Sequence, residues 1–245
     1  MVIHLFAVSM AAQPVTEPLG SGVVVDWSAL EIRVSASAEG VPVGSTRAVE
    51  ELARREADEA LHAAARGVRV DCATQLGDWL ERADLGPAVD ARLSRWTITT
   101  SNYDLAGDVE LAGELSLLEL FKPITLSRAV AAPVGLDPSY TGVIVDARTS
   151  SARPHWFPRV VGEDGEVLFD GNVIDSLALD VAPAVWVRDA NDPAAARAGA
   201  RPMILRAPRS SGCTLTLGPE DTVRFRTALS SAPLLRRGAL VVVVD

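Results

Sequence analysis

Lysine is almost absent from this sequence: Lys122 is the single one among 23 basic residues. The remainder are arginine, which with abundant alanine and valine reads as the codon bias of a GC-rich genome. The net charge is -9, and no local basic stripe offsets it. A nucleic-acid binder needs such a stripe to displace counterions from phosphates, so no nucleic-acid partner is expected. No apolar run reaches the roughly 20 residues that a membrane-crossing helix requires.

Cysteine is also scarce. Cys72 and Cys213 are the only two, with no Cys-x-x-Cys or Cys/His spacing, so no zinc or other metal site is expected. They read as two separate small core residues. The alternative is a disulfide, formed in an oxidising compartment, that staples the two halves. No acylatable cysteine stands near the N-terminus. The three histidines, His4, His62 and His155, have no supporting pattern. There is no Gly-x-Ser-x-Gly elbow, phosphate-binding loop, His-Glu-x-x-His or Gly-x-Gly-x-x-Gly. Asp189-Ala190-Asn191-Asp192 lacks the glycine and distal glutamate of a calcium loop and reads as a helix cap. Neither a cofactor nor a set of catalytic residues is expected.

What is present supports a folded core. Apolar residues form 48% of 245 positions, enough for one large domain or two modest ones. Val2 to Ala12 is apolar and ends in a small-x-small pattern, as a secretory signal does, although no basic residue precedes it; a buried first strand is the alternative. Residues 1–26 form this signal and lead-in. Strict alternation from Leu30 to Ala38 predicts a half-buried strand. Ser45 then caps a helix over about 46–66, with Val49, Leu52, Ala53, Ala57, Ala60, Leu61 and Ala64 facing inward. Val68-Arg69-Val70 predicts a short strand. A broken helical region follows, around Leu76–Ala83 and Pro87–Arg95, and then strands over 96–100 and 109–115. Residues 27–122 thus read as an α+β domain. Pro123 to Pro138, bounded by prolines, reads as a linker, and residues 139–245 as a second α+β domain.

The second domain opens on Tyr140 to Gly171. Val143-Ile144-Val145, Arg159-Val160-Val161 and Val167-Leu168-Phe169 are three β-prone runs, and Asp164-Gly165 between the last two is a strong hairpin signal. This predicts a small antiparallel unit. Beyond it come a short alanine-rich helix from Pro193, a strand over 203–206, a helix over about 219–230 and a buried strand over 240–244. The fold class is α+β, with antiparallel sheets and helices packed on one face. Asp146 and Arg148 project to one face of a strand and read as a structural ion pair, with Arg159 or another strand-end group as partner. Asp146, Arg148, His155, Trp156 and Arg159 are the candidate contact or ligand surface. The alternative function gives Arg148, Arg159 and the Pro154–Pro158 aromatic patch a pocket for an anionic or sugar-like ligand. A third, a hydrolase, needs two carboxylates converging in a cleft.

Tyr140-Thr141-Gly142-Val143-Ile144-Val145-Asp146-Ala147-Arg148, then Pro158-Arg159-Val160-Val161 and Glu163-Asp164-Gly165-Glu166-Val167, resembles a motif of bacterial envelope proteins of the LPP-twenty lipoprotein type. That grouping includes FlgP-like flagellar proteins. The resemblance implies an exported, non-enzymatic protein, periplasmic or peripherally associated with the outer membrane. Its partners would be copies of itself or other envelope proteins. It supplies no catalytic residue to carry over.

Overall fold

The computed structural model describes residues 13–40, 45–130, 140–171, 174–175, 178, 180–227 and 238–245. The apolar N-terminal stretch with His4 lies outside them. The first half runs β1 (Thr16–Gly20), β2 (Val23–Asp26), β3 (Glu31–Ala38), α1 (Thr46–Ala65), α2 (Leu76–Leu80), α3 (Gly86–Leu93), β4 (Thr97–Tyr103), β5 (Val109–Ser116), α4 (Leu117–Ser127) and β6 (Ala129–Val130). Its sheet has the order β1-β2-β3-β5-β4, antiparallel throughout. Alternation in β3 buries Ile32, Val34 and Ala38 while Arg33 and Ser35 face solvent, because successive side chains leave opposite faces of a strand. The Val23–Val25 run, read as lead-in, is β2 of this sheet.

Helix α1 lies over β3 and β5. The Ser45 hydroxyl accepts from the Ala48 N–H, and Val49, Ala53, Ala57, Leu61 and Ala65 form the buried stripe. Small alanines let the helix approach the sheet closely. Leu52, expected inside, stands at the stripe's exposed margin. The strand expected at Val68–Val70 is reduced to a single bridge between Arg69 and Gln75.

The expected linker is the clearest departure in this half. Helix α4 runs through Pro123 to Ser127, and β6 follows; residues 131–138 lie outside the described set. Proline inside a helix leaves the carbonyl four residues back without its donor. Here that carbonyl belongs to Glu119, and Arg92 Nη1 from α3 donates to it at 3.0 Å. A side chain from a neighbouring helix thus replaces the missing N–H.

The second half runs β7 (Gly142–Asp146), β8 (Arg159–Val161), β9 (Val167–Asp170), β10 (Ile174–Asp175), β11 (Ala184–Val187), a 3₁₀ helix (Pro193–Ala198), β12 (Pro202–Arg206), β13 (Arg209–Ser211), β14 (Thr214–Thr216), α5 (Pro219–Thr227) and β15 (Leu240–Val243). The α+β class holds, but the central sheet β11-β15-β7-β12 is parallel at every pairing. That explains the unbroken apolar runs of β7, β11 and β15, since strands of a parallel sheet are covered on both faces. Strand β7 is therefore not part of the antiparallel unit expected for Tyr140–Gly171. The hairpin β8–β9 does form, with Gly165 at φ 82° in its turn, and joins the separate sheet β13-β14-β8-β9. Asp192 caps the 3₁₀ helix through the Ala194 N–H, as expected of a capping loop.

Buried side chains from both halves form one continuous cluster, including Trp27, Leu61, Phe121, Trp156, Trp186 and Val242. Cys72 and Cys213 are joined by a disulfide with their Cα atoms 5.0 Å apart. The reading of two separate thiols is replaced by the stapled alternative.

Candidate functional site

The Pro154–Pro158 patch forms the joint between the halves. The Trp156 and Phe157 N–H groups donate to the carbonyls of Arg69 (3.1 Å) and Val70 (2.8 Å), carrying the backbone of one half along the other. Trp156 is 2% exposed, stacks on Phe121 at 4.7 Å, and donates through Nε1 to Thr125 Oγ1. Arg128 lies over the rings of Phe157 and Trp79 at 4.6 and 4.8 Å while holding Asp71 at 2.7 Å. Burial alone would raise the Asp71 pKa, but bonds from Arg128, the Ala73 N–H and Thr74 outweigh it and leave the carboxyl below its ordinary value. His155 is 5% exposed. Its Nδ1 meets the Arg153 carbonyl at 2.8 Å, and its own carbonyl accepts from Trp186 Nε1 at 3.0 Å. Burial pushes its pKa down, with the nearby Arg69 charge adding to the effect. A neutral, packed imidazole is the result.

Nor do the remaining candidates converge. Arg148 closes on Asp146 with Nε at 3.0 Å and Nη2 at 2.7 Å. These bonds hold the Asp146 carboxyl below the usual carboxylate range against the opposing effect of burial. The two residues expected to share a strand-end partner are thus each other's partner. Arg159 pairs with Asp170 across the hairpin at 3.3 Å.

The geometry does produce a groove of about 540 Å³, lined by Asp146, Thr149, Arg206, Gly218, Glu220 and Asp221 among others. It lies at the C-terminal ends of parallel strands β7 and β12 beside the start of α5, where open α/β sheets tend to place ligands. Three carboxylates line it, but two are committed. Asp146 is held by Arg148, and Asp221 accepts from the Arg206 N–H and from Arg224 Nη1, both at 2.7 Å. Asp146, held below its ordinary range, is a poor proton carrier at neutral pH. Among the described residues no group of three or more His, Cys, Asp or Glu side chains could hold a metal ion.

Several structural residues were silent in the sequence. Glu17, Arg69, Arg206 and Asp221 act through partners distant in the chain, and no local spacing marks them. Arg69 grips Glu17 with Nη1 and Nη2 at 2.5 and 2.6 Å and reaches the Pro154 carbonyl through Nε at 2.9 Å.

No curated protein matches this chain. The family model described as Treponema pallidum Tp0624, second domain, matches residues 142–245, so the second half, from the first residue of β7 through β15, is similar to a domain of a bacterial protein.

Proposed function

We propose that this chain is a non-catalytic, exported protein of the bacterial cell envelope, related to the LPP-twenty type, that works as a scaffold in assemblies with itself or with neighbouring components. The observation that carries this reading is the commitment to internal partners of Asp146, Arg148, His155, Trp156 and Arg159. Asp146 is held by Arg148, Arg159 by Asp170, His155 by the Arg153 carbonyl and Trp156 by Thr125. They pin strand ends and the joint between the halves. The disulfide supports export, since such bonds persist mainly in oxidising compartments. The similarity to a domain of a bacterial protein accords with a modular part. Light scattering on the full chain across a wide concentration range tests assembly, and a strict monomer throughout counts against it. Fractionation of the producing cells tests localisation.

A second reading, a site for an anionic or sugar-like ligand, is favoured by the groove beside Asp146 and Arg206. Arg206 supplies the cation. Thermal-shift screening of the wild type against Arg206→Ala separates the readings: a ligand-dependent shift lost in the variant supports binding, and no shift in either removes it.

A further inference from the structure

A sheet edge offers unpaired N–H and C=O groups to another strand, and folded proteins usually block it. Most edges here are blocked or short. Strand β1 contains Pro18 and a bulge between Pro18 and Gly20. On β12, Pro202 has no N–H, the Arg206 N–H is taken by Asp221, and the Arg206 carbonyl accepts from the Gly218 N–H. Strand β11 is wholly buried, and β9 and β13 span only four and three residues.

Strand β4 is the exception. Its seven residues, Thr-Ile-Thr-Thr-Ser-Asn-Tyr, form the longest edge strand among the described residues, with no charge and no proline. One irregularity, at Thr99, has its hydroxyl bonded to the Ala112 carbonyl of β5. Beyond it the pairing is regular. The Asp104 N–H donates to the Asp108 carbonyl, so alternation turns the N–H and C=O of Asn102 and Thr100 toward β5 and those of Ser101 and Tyr103 outward. Two apolar side chains stand exposed at this end, Tyr103 at 50% and Leu105, at the hairpin tip, completely. The flanking charges are opposite in sign: Arg95 precedes the strand and Asp104 follows it.

We propose that β4 is the docking edge for a second copy of this chain, the two β4 strands pairing antiparallel across a two-fold axis. The flanks select this partner. Antiparallel pairing lays the start of one strand beside the end of the other, so each Arg95 faces an Asp104 and each Leu105 is covered by the partner's strand start. Parallel pairing would oppose like charges. The two five-stranded sheets then become one continuous sheet. This rests on the assembly reading and names its contact.

Sedimentation of the full chain tests it, with Ser101→Pro removing an outward donor and Asn102→Lys placing a charge on the strand. Each is expected to weaken the dimer at least about tenfold. Arg95→Glu is expected to weaken it most at low salt, with added salt narrowing the difference. Circular dichroism verifies folding, and Asn102→Lys decides if Ser101→Pro does not fold. A dimer indifferent to both Asn102→Lys and Arg95→Glu overturns this contact and leaves assembly standing. A monomer at every concentration overturns both.

Discussion

Arg69 and Glu17 are joined by two parallel hydrogen bonds of 2.5 and 2.6 Å, with both side chains mostly withdrawn from solvent. Glu17 also accepts from Trp27 Nε1, and Arg69 also holds the Pro154 carbonyl, so the pair ties β1 to the joint between the halves. Arg69→Ala is expected to cost roughly 3 kcal/mol, because it leaves a shielded carboxylate with Trp27 Nε1 but no counter-charge, and the Pro154 carbonyl without the Arg69 donor. A double-mutant cycle with Glu17→Gln should give a coupling of about 1 kcal/mol or more. Additive losses would mean the pair is ornamental.

His155 sets an acid limit. Its folded pKa lies below the ordinary imidazole value of about 6.5, so the unfolded chain takes up the proton first as pH falls. Stability is complete above that value and declines as acidification proceeds through the lowered folded one. Glu17 and Asp71 partly favour the charged ring, and Arg69 opposes it. Urea midpoints should fall between pH 7.5 and pH 5.5, and His155→Gln should flatten that slope. An equal slope in the variant would assign the acid sensitivity elsewhere.

The disulfide closes a loop with a sequence separation of 141 residues. By chain entropy, a closure this long contributes about 5 kcal/mol, so reduction should lower Tm by about 10–20 °C. Thiol titration of the denatured, unreduced chain should find no free thiol. Two titratable thiols would show that the bond does not form in solution.

Gly113 of β5 sits under the Trp96 ring. A Cβ there would lie 2.5 Å from Trp96 Cε3 and 2.7 Å from the Thr97 carbonyl oxygen. Gly113→Val should therefore displace the indole, break its bond to Asp58, and destabilise by about 1–3 kcal/mol. Indole fluorescence and a melt measure both effects together.

Arg197 carries a buried Nη1 without a hydrogen-bond partner among the described residues, and burial lowers its pKa. Removing an uncompensated donor should be harmless or favourable. Arg197→Met is expected to hold or raise Tm; a clear drop would reveal a partner for that charge.

The sequence showed its local rules well. Ser45 and the three-and-four alanine spacing located α1, Asp164-Gly165 located the β8–β9 turn, and the apolar run from Leu240 located β15. What it hid was distant pairing. Nothing in Val143-Ile144-Val145 states that its neighbours are Met203-Ile204-Leu205 and Leu240-Val241-Val242, in parallel. Pro123 read as a boundary because the Arg92 bond that tolerates it comes from another helix. Trp156 and Phe157 read as surface because composition does not distinguish an aromatic at a joint from one in a cleft. The groove escaped for the same reason, since Asp146, Arg206 and Asp221 meet only after the parallel sheet forms.

Strand β15 slots between β11 and β7, both of which precede it by long stretches of chain. The middle of that sheet must stay vacant until everything between has been synthesised and brought round. Such long-range closure slows folding and leaves two apolar strand flanks uncovered meanwhile. Refolding of this half should therefore be sluggish and prone to clumping at high concentration, and a chaperone that shields β7 and β11 would help most during that interval.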